Sequence, residues 1–228
     1  MKRSTAFATT LTRLTYAITF LVEGALPLAA QQGDHDADHA VAGGGTVPAG
    51  WSVRPDGTGN PANVRVVPMA SGLHLTLGPA IILYRKSTDG TGPFHTLATF
   101  TQTKKLAHAE GYGLFLGGRD LEGPGQAYTY FLVREDGSYL IKRREGEQTT
   151  EITRGWVPHR AIHQLDEKGT ATNLLEIDSK RDPTKIAFKL NGEAVFTAEA
   201  GTFNADGIVG VRANHNLDLH IDGFDVHR

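Results

Sequence analysis

From residue 64 onward the chain alternates apolar and polar positions in short runs. Residues 73–77 read LHLTL, and residues 217–221 read LDLHI. A period of two places the apolar side chains on one face of an extended segment, so each run predicts a half-buried antiparallel β-strand. We predict strands near residues 64–67, 73–77, 80–85, 94–102, 112–117, 127–134, 138–144, 148–153, 173–179, 184–190, 193–198, 207–213 and 217–227.

Turn residues separate these runs. Asp136-Gly137 and Asn191-Gly192 each lie between two strong strand patterns. Asp or Asn before Gly supplies the positive φ angles that tight hairpins need. A helical period is nearly absent after the N-terminus, and residues 101–110 could form either one or two helical turns or a loop. The pattern predicts an all-β fold, a two-sheet antiparallel β-sandwich, because each sheet has an apolar face that must be covered.

The first 30 residues have the pattern of an export signal. Residues 1–3 (MKR) are basic at the start, residues 14–22 (LTYAITFLV) form a short apolar run, and residues 25–30 (ALPLAA) end in small side chains. This order is typical of a signal peptide. The apolar run is shorter than the ~20 residues of a membrane-spanning helix. An uncleaved membrane anchor is the alternative interpretation.

The next segment is polar and rich in glycine. Residues 31–50 (QQGDHDADHAVAGGGTVPAG) contain almost no large apolar side chain, so they bury too little surface to offset the entropy of ordering. We therefore expect three parts: a signal peptide over 1–30, a flexible leader over 31–50 and a β-sandwich domain over 51–228.

Composition narrows the class of function. The chain has no cysteine, which excludes disulfides, thiolate metal sites and cysteine nucleophiles. Its formal net charge is −2, so it has no electrostatic reason to bind nucleic acid. We expect no membrane insertion after signal cleavage. An exported chain without cysteine suggests a periplasmic or secreted bacterial protein.

The order of the segments resembles a known family. The segments are EGYGLFLGG (110–118), YTYFLVREDGSYLIKRREGE (128–147), NLLEIDSKRDPTKIAFKLNGEAVF (173–196) and DGIVGVRANHNLDLHIDGFDV (206–226). Together they resemble concanavalin A-like jelly-roll domains of the laminin-G and 3-keto-disaccharide hydrolase-like kind. The resemblance implies the fold over most of residues 51–228. It leaves function open, because this fold hosts lectins, glycan-binding modules, hydrolases and adhesion domains.

The stretch LLEIDSKRD carries the first catalytic candidates. Glycosidases of this fold resemble one another in a Glu-x-Asp-x-x-Glu strand, and Glu176 and Asp178 match its first two positions. The sixth position is Arg181, and a guanidinium cannot deliver a proton near neutral pH. The next acid, Asp182, is one step too far and precedes Pro183, which indicates a turn. We therefore expect Glu176 and Asp178 to be solvated strand residues.

Two histidines near the C-terminus are the other weak acid or base candidates. Asn214-His215-Asn216 joins two strand runs, and His220 follows it. Asn tolerates left-handed backbone geometry, so a tight hairpin is the first interpretation. The alternative is a loop-borne sugar contact, in which the Asn214 amide and the His215 imidazole bond to hydroxyls.

Metal binding has weak candidates only. His35 and His39 lie within HDADH, where imidazole and carboxylate groups suit zinc, copper or nickel. Calcium is common in related folds, and Asp89, Asp136 and Asp206 each precede Gly, which is a turn signature first. We predict no cofactor; calcium stays possible.

Aromatic side chains give the better indication of binding. The C–H face of a sugar ring stacks on an aromatic ring, while neighbouring polar groups bind the hydroxyls. Arg119, Arg134 and Arg143 could bind acidic sugars or could be ordinary strand-edge charges. The predicted ligand-binding residues are Tyr112, Arg119, Tyr128, Tyr130, Trp156, Asn214 and His215.

These observations favour a secreted or periplasmic, non-catalytic domain that binds carbohydrate or a cell-envelope polymer. One alternative is a hydrolase acting on a disaccharide derivative, as the family resemblance implies, with Glu176, Asp178, His215 and His220 as candidate acids and bases. The other is a structural or interaction module of the cell envelope.

Overall fold

A computed structural model describes residues 37–228. In that part the chain forms one short 3-10 helix, Pro61–Asn63, and fifteen strands. In chain order the strands are β1 (Ser52–Pro55), β2 (Val64–Pro68), β3 (Gly72–Leu77), β4 (Ile81–Asp89), β5 (His95–Gln102), β6 (Tyr112–Arg119), β7 (Ala127–Arg134), β8 (Ser138–Glu145), β9 (Gln148–Glu151), β10 (Val157–Pro158), β11 (Ala171–Asp178), β12 (Lys185–Leu190), β13 (Glu193–Glu199), β14 (Ile208–Ala213) and β15 (Asp218–His227).

The strands form two antiparallel sheets. The eight-stranded sheet has the order β1-β4-β14-β6-β7-β8-β10, with β9 also paired to β8. The seven-stranded sheet has the order β13-β12-β11-β5-β15-β3-β2. The predicted all-β sandwich is confirmed, and every predicted strand run corresponds to a strand of the structure. The prediction omitted β1 and β10, because β1 has only four residues and ends in proline, and β10 has only two residues.

The main core lies between the sheets. It is built from the inward-facing residues of alternate strand positions, among them Leu75, Phe100, Phe131, Phe188 and Val211, all with no exposed surface. Fully burying a side chain of this kind contributes about 1.5–3 kcal/mol. The alternation along the strands therefore fixes which face of each sheet points inward.

Both predicted hairpins occur where the turn residues lie. Asn191 (φ 49°) and Gly192 (φ 84°) connect β12 to β13, and the side chain of Asn191 also accepts a hydrogen bond from the backbone N–H of Leu174 at 2.8 Å. Gly137 (φ 81°) connects β7 to β8. These left-handed φ values are the ones that Asn and Gly adopt at little cost.

The outer faces of the two sheets differ. On the eight-stranded sheet the outer face carries a second buried cluster, which contains Ile82, Tyr84, Phe115, Leu121, Tyr128, Tyr130 and Leu132. On the seven-stranded sheet the outer face is polar: His74, His95 and Glu176 are all partly exposed there. Only the eight-stranded sheet thus buries apolar side chains on both of its faces.

The structure differs from the prediction of a flexible leader over residues 31–50. In the described part, the N–H of His39 donates to Asn216 Oδ1 at 2.8 Å, and that of Gly45 donates to Val64 O at 2.8 Å. Thr46 forms an isolated parallel bridge with Arg65. Residues 37–50 are therefore tied to the sandwich by backbone hydrogen bonds, which need no large apolar side chain.

Residues 1–36 are outside the described part, so the predicted signal peptide over 1–30 stays a prediction. Among residues 37–228, the structure contains no helix with the length and apolar character needed to cross a membrane.

Asn216 is the main side-chain anchor of this N-terminal segment, because its amide also donates to Ala37 O at 3.1 Å and its backbone is left-handed (φ 59°). We expect Asn216→Gly to keep the turn but to remove both bonds. The predicted result is a loss of about 1–2 kcal/mol and faster hydrogen exchange at the His39 amide. The Gly45 amide serves as the control and should stay protected. Unchanged exchange at His39 would contradict this role for Asn216.

Candidate functional site

Three charged side chains meet on the outer face of the eight-stranded sheet. The carboxylate of Asp56, just after β1, accepts hydrogen bonds from Arg212 Nη2 at 2.6 Å and from Arg144 Nη1 at 3.2 Å. Arg212 belongs to β14 and Arg144 to β8. We call these three residues the Asp56 cluster.

The contact between Asp56 and Arg144 requires a strongly curved sheet. Four strands separate β1 from β8 in the sheet order, and the backbone of Asp56 is held at the β4 edge by a hydrogen bond to Ala80 O. At about 4.8 Å per strand, a flat sheet would place these positions roughly 24 Å apart. The sheet is therefore curved toward its outer face, and the Asp56 cluster bridges the concave side, which we call the outer groove.

Aromatic rings form the floor of this groove. The ring of Tyr128 lies 5.2 Å from that of Phe115 and 5.7 Å from that of Tyr130. The guanidinium of Arg212 lies 5.8 Å from the Tyr130 ring centroid, in cation–π distance. Burial raises the pKa of Tyr130 to about 12, against the opposing effect of Arg212, so its hydroxyl stays protonated.

The three side chains of the Asp56 cluster differ in solvent exposure. The exposed fraction of the side chain is 26% for Asp56, 14% for Arg144 and 8% for Arg212. Burial alone would raise the pKa of Asp56, but the charges and hydrogen bonds of Arg212 and Arg144 outweigh it, so its pKa lies below the usual value. Burial acts to lower the pKa of Arg212, but nearby Tyr128 and Asp56 outweigh burial and raise that pKa above its usual value. All three groups are therefore charged at neutral pH.

Two polar atoms in the groove have no partner in the described chain. They are Nε and Nη1 of Arg212, and both are buried. Burial raises the pKa of Tyr128, and the charges of Arg212 and Arg144 together with a hydrogen bond from Arg144 oppose that rise. Buried polar groups without a partner are rare and costly in folded proteins, so these two donors are candidates for hydrogen bonds to a ligand.

One tryptophan and two further arginines lie beside the groove. Trp156, half-buried, packs on the outer-face cluster and lies under the guanidinium of Arg134 at 4.3 Å. Nη1 of Arg54 in β1 donates to Leu121 O at 2.8 Å and to Gly123 O at 2.6 Å, which fixes the loop after β6 against the groove.

The structure brings together three of the predicted ligand-binding residues. Tyr128, Tyr130 and Trp156 all belong to the outer-face cluster or pack on it. Tyr112 is fully buried in the main core, with its ring 5.7 Å from that of Phe100, so the structure does not support a ligand contact there. Arg119 is exposed at the end of β6.

The carboxylates of Glu176 and Asp178 are paired, which corrects the expectation that they are solvated. Glu176 lies 3.0 Å from His95 Nε2, and Asp178 accepts a hydrogen bond from Lys189 Nζ at 2.7 Å. Burial raises the pKa of Asp178, but the bonds from Lys189 and from two backbone amides outweigh it and the pKa lies below its usual value. Asp178 is thus ionised at neutral pH and cannot act as a general acid.

The remaining acid or base candidates do not join these carboxylates. His220 pairs with Thr101 and Glu176 with Leu97, so they are four residues apart along β5, about 14 Å. His220 instead packs on His74, with ring centroids 4.8 Å apart.

The loop between β14 and β15 holds Asn214 and His215. The imidazole of His215 lies between two carboxylates, with Nε2 2.8 Å from Glu110 and Nδ1 3.5 Å from Asp38. Asn214 forms a backbone hydrogen bond to Gly111 O. The predicted tight hairpin is wrong, because β14 and β15 belong to different sheets and the loop crosses from one sheet to the other. Its histidine is held between two carboxylates.

The metal candidates lie apart. Residues 37–228 contain no group of three or more His, Cys, Asp or Glu side chains arranged to hold a metal ion. His39 is exposed, and His35 is outside the described residues. The Asp residues before Gly form turns, as their sequence indicates: Asp89 Oδ1 accepts from the Thr91 N–H, and Asp136 Oδ1 from the Ser138 N–H.

Sequence reasoning did not identify the Asp56 cluster. One local signal existed: Arg212 lies inside the otherwise apolar strand IVGVRA. A charged residue at such a position requires a buried partner, although the sequence does not indicate which one. Asp56 is 156 residues away from Arg212 and 88 from Arg144.

Two cavities lie elsewhere in the described part of the chain. One of about 460 Å³ is lined by Pro93, Ile186 and Phe203, among others, and one of about 600 Å³ by Lys104, Glu135 and Asp166, among others. None of the unpaired buried polar atoms belongs to a residue that lines either cavity. We therefore place the candidate site in the outer groove.

Comparison with solved structures agrees with this fold. The structure is similar to the carbohydrate-binding module CBM66 from Bacillus subtilis, with a TM-score of 0.57 and 12% identity over 78% of this chain and 96% of that one. It is also similar to a point mutant of the carbohydrate recognition domain of Emp46p, with a TM-score of 0.55 and 13% identity over 78% and 88% of the two chains. These similarities show a shared β-sandwich fold. No protein-family model matches the sequence, and no curated protein matches it.

Proposed function

We propose that this chain is a secreted or periplasmic, non-catalytic carbohydrate-binding domain whose ligand lies in the outer groove of the eight-stranded sheet. The observation that carries the proposal is the combination of aromatic rings with buried, unpaired hydrogen-bond donors at the Asp56 cluster. The named functions of CBM66 and Emp46p, which share the fold, support the same class of ligand.

The groove offers the two kinds of contact that sugars need. The half-buried Trp156 presents aromatic surface against which the C–H face of a sugar ring can stack, and Tyr130, which is 8% exposed, adds little to it. Arg144, Arg212 and Tyr128 supply donors, and Asp56 supplies acceptors. Hydrogen bonds from charged groups are stronger than those from neutral groups, and a curved, partly desolvated groove protects these bonds from competing water.

The test is a glycan array with the full chain, followed by calorimetry on any glycan that binds. Arg144→Met removes a rim guanidinium but keeps most of the apolar stem, and we expect it to weaken binding at least tenfold. Arg143→Met is the matched control, because Arg143 is the neighbouring residue of β8 and pairs with exposed Glu145. Its affinity should stay within twofold of the original. The absence of any glycan ligand, or equal losses in both variants, would overturn the proposal.

The non-catalytic part has its own readout. The bound glycan, incubated with the protein, should release no new reducing ends, because Asp178 is held ionised and Glu176 is paired with His95. Release of reducing sugar that Glu176→Gln abolishes would favour the hydrolase instead.

A further inference from the structure

We propose that the ligand of the outer groove is an acidic glycan, and that the cluster recognises the carboxylate of a uronic acid unit. This inference rests on the proposed function and names its substrate class. It is argued from the charge balance of the groove, its unpaired donors and the order in which the charged groups reach solvent.

The first argument is the charge balance. Arg54, Arg144 and Arg212 place three guanidinium groups around the groove, and Asp56 is the one carboxylate that the structure pairs with any of them. Arg54 donates only to backbone carbonyls, which offer no compensating charge. The groove therefore carries excess positive charge, although the whole chain has a net charge of −2.

Neighbouring charges do not remove this excess, because they neutralise one another. The nearby ion pairs at this sheet are Lys86–Glu122 at 2.8 Å, Lys142–Glu151 at 3.2 Å, Arg134–Asp136 at 2.6 Å and Arg143–Glu145. Each pair contains one positive and one negative group. Asp120, next to the loop carbonyls that bind Arg54, has no ion pair in the described chain, so three arginines face two carboxylates and one positive charge stays uncompensated.

The second argument is the chemistry of the unpaired atoms. Nε and Nη1 of Arg212 can only donate hydrogen bonds, and the residue as a whole is 6% exposed. A buried charge is costly unless an opposite charge and hydrogen bonds compensate it, and Asp56 bonds to Nη2 of Arg212 alone. A sugar hydroxyl can accept a hydrogen bond but brings no charge, whereas a carboxylate supplies both. Guanidinium and carboxylate groups also match in planar geometry.

The third argument is the position of Asp56. Asp56 is the most exposed member of the cluster. Its carboxylate bonds to the more buried guanidinium of Arg212 and so occupies the place that a ligand carboxylate would take. A ligand carboxylate that reaches Arg144 therefore competes with Asp56 for the same donors. The backbone of Asp56 is held by hydrogen bonds with Ala80 and Gly59, so entry of a ligand carboxylate requires the side chain of Asp56 to move.

The experiment compares matched glycans by calorimetry on the full chain. The probes are oligomers of glucuronate, galacturonate and mannuronate, each paired with its carboxyl-reduced neutral counterpart. At least one acidic oligomer should bind tenfold or more tightly than its neutral partner, and the preference should fall as salt is raised. Arg144→Met should reduce the preference to less than threefold, whereas Arg143→Met should leave it unchanged.

A second variant gives a test that does not depend on whether Arg144→Met folds. Asp56→Asn removes the competing charge at constant shape and should raise the affinity for the acidic oligomer at least threefold, without a similar gain for the neutral one. Equal binding of acidic and neutral members, or the same loss of preference in Arg143→Met, would overturn the acidic-ligand inference and leave the proposed function standing. Failure of every glycan to bind would overturn the proposed function itself.

Discussion

Replacing Asp56 by alanine is expected to lower the free energy of unfolding by about 3 kcal/mol at neutral pH. The change removes the carboxylate between Arg212 and Arg144 and leaves a buried guanidinium without a counter-charge. The cost of an uncompensated buried charge exceeds the small contribution of an exposed ion pair. Chemical denaturation monitored by tryptophan fluorescence measures this difference.

The pH dependence of this loss distinguishes the ion pair from a general packing effect. Because the pKa of Asp56 is below its usual value in the folded chain, its contribution is fully present above the unfolded value of about 3.9 and is lost as pH falls through the folded pKa. The difference between the original chain and Asp56→Ala should therefore shrink below about pH 4. A difference that stays constant from pH 7 to pH 3 would contradict the assignment.

Two further variants serve as controls. Asp222→Ala removes a carboxylate from the other sheet, where it accepts a hydrogen bond from the exposed hydroxyl of Ser71 at 2.6 Å, and should cost less than about 1 kcal/mol. The double variant Asp56→Leu with Arg212→Met replaces the pair by apolar groups of similar size. It should recover part of the stability lost in Asp56→Ala, since such replacements of buried ion pairs are often neutral or stabilising.

The strands and hairpins could be predicted because their signals are local. In β7, alternate positions place Tyr128 and Tyr130 on one face and Phe131 and Val133 on the other, as the structure shows. The sequence could not indicate which of these two apolar faces points to the main core. That choice depends on the position of the strand between β6 and β8 and on the curvature of the sheet.

The same ambiguity explains the interpretation of Tyr112. Tyr112 and Phe115 are three residues apart in β6, so they lie on opposite faces, and the structure places Tyr112 in the main core and Phe115 in the outer cluster. The spacing indicates the opposition of the two faces but not the direction of either side chain. A tyrosine is compatible with both environments, because it is intermediate in burial.

The candidate site itself depends on contacts that are remote in sequence. Asp56, Arg144 and Arg212 come together only because β1, β8 and β14 belong to one curled sheet. No local pattern encodes that curvature. The ordering of residues 37–50 is similar in origin, because it depends on backbone hydrogen bonds to β2 and to the loop before β15.

Replacing Phe188 by alanine is expected to destabilise the chain by about 4 kcal/mol, the largest effect among these predictions. Phe188 has no exposed surface, and its ring lies 5.4 Å from that of Phe131, 5.9 Å from that of Phe196 and 6.0 Å from that of Phe203. Truncation removes buried apolar surface and leaves a cavity between the sheets that the rigid strands can fill only in part.

Thermal and chemical unfolding measure this loss, and Lys185→Ala on the same strand is the control, since its exposed side chain should change stability by less than about 0.5 kcal/mol. A loss below 1.5 kcal/mol for Phe188→Ala would contradict the packing of the main core. Phe188 belongs to the seven-stranded sheet, so at temperatures where Phe188→Ala is fully folded its glycan affinity should match the original chain. Because Arg144→Met should show the reverse pattern, with weaker binding and little loss of stability, the two variants together separate the core that stabilises the fold from the groove that binds the ligand.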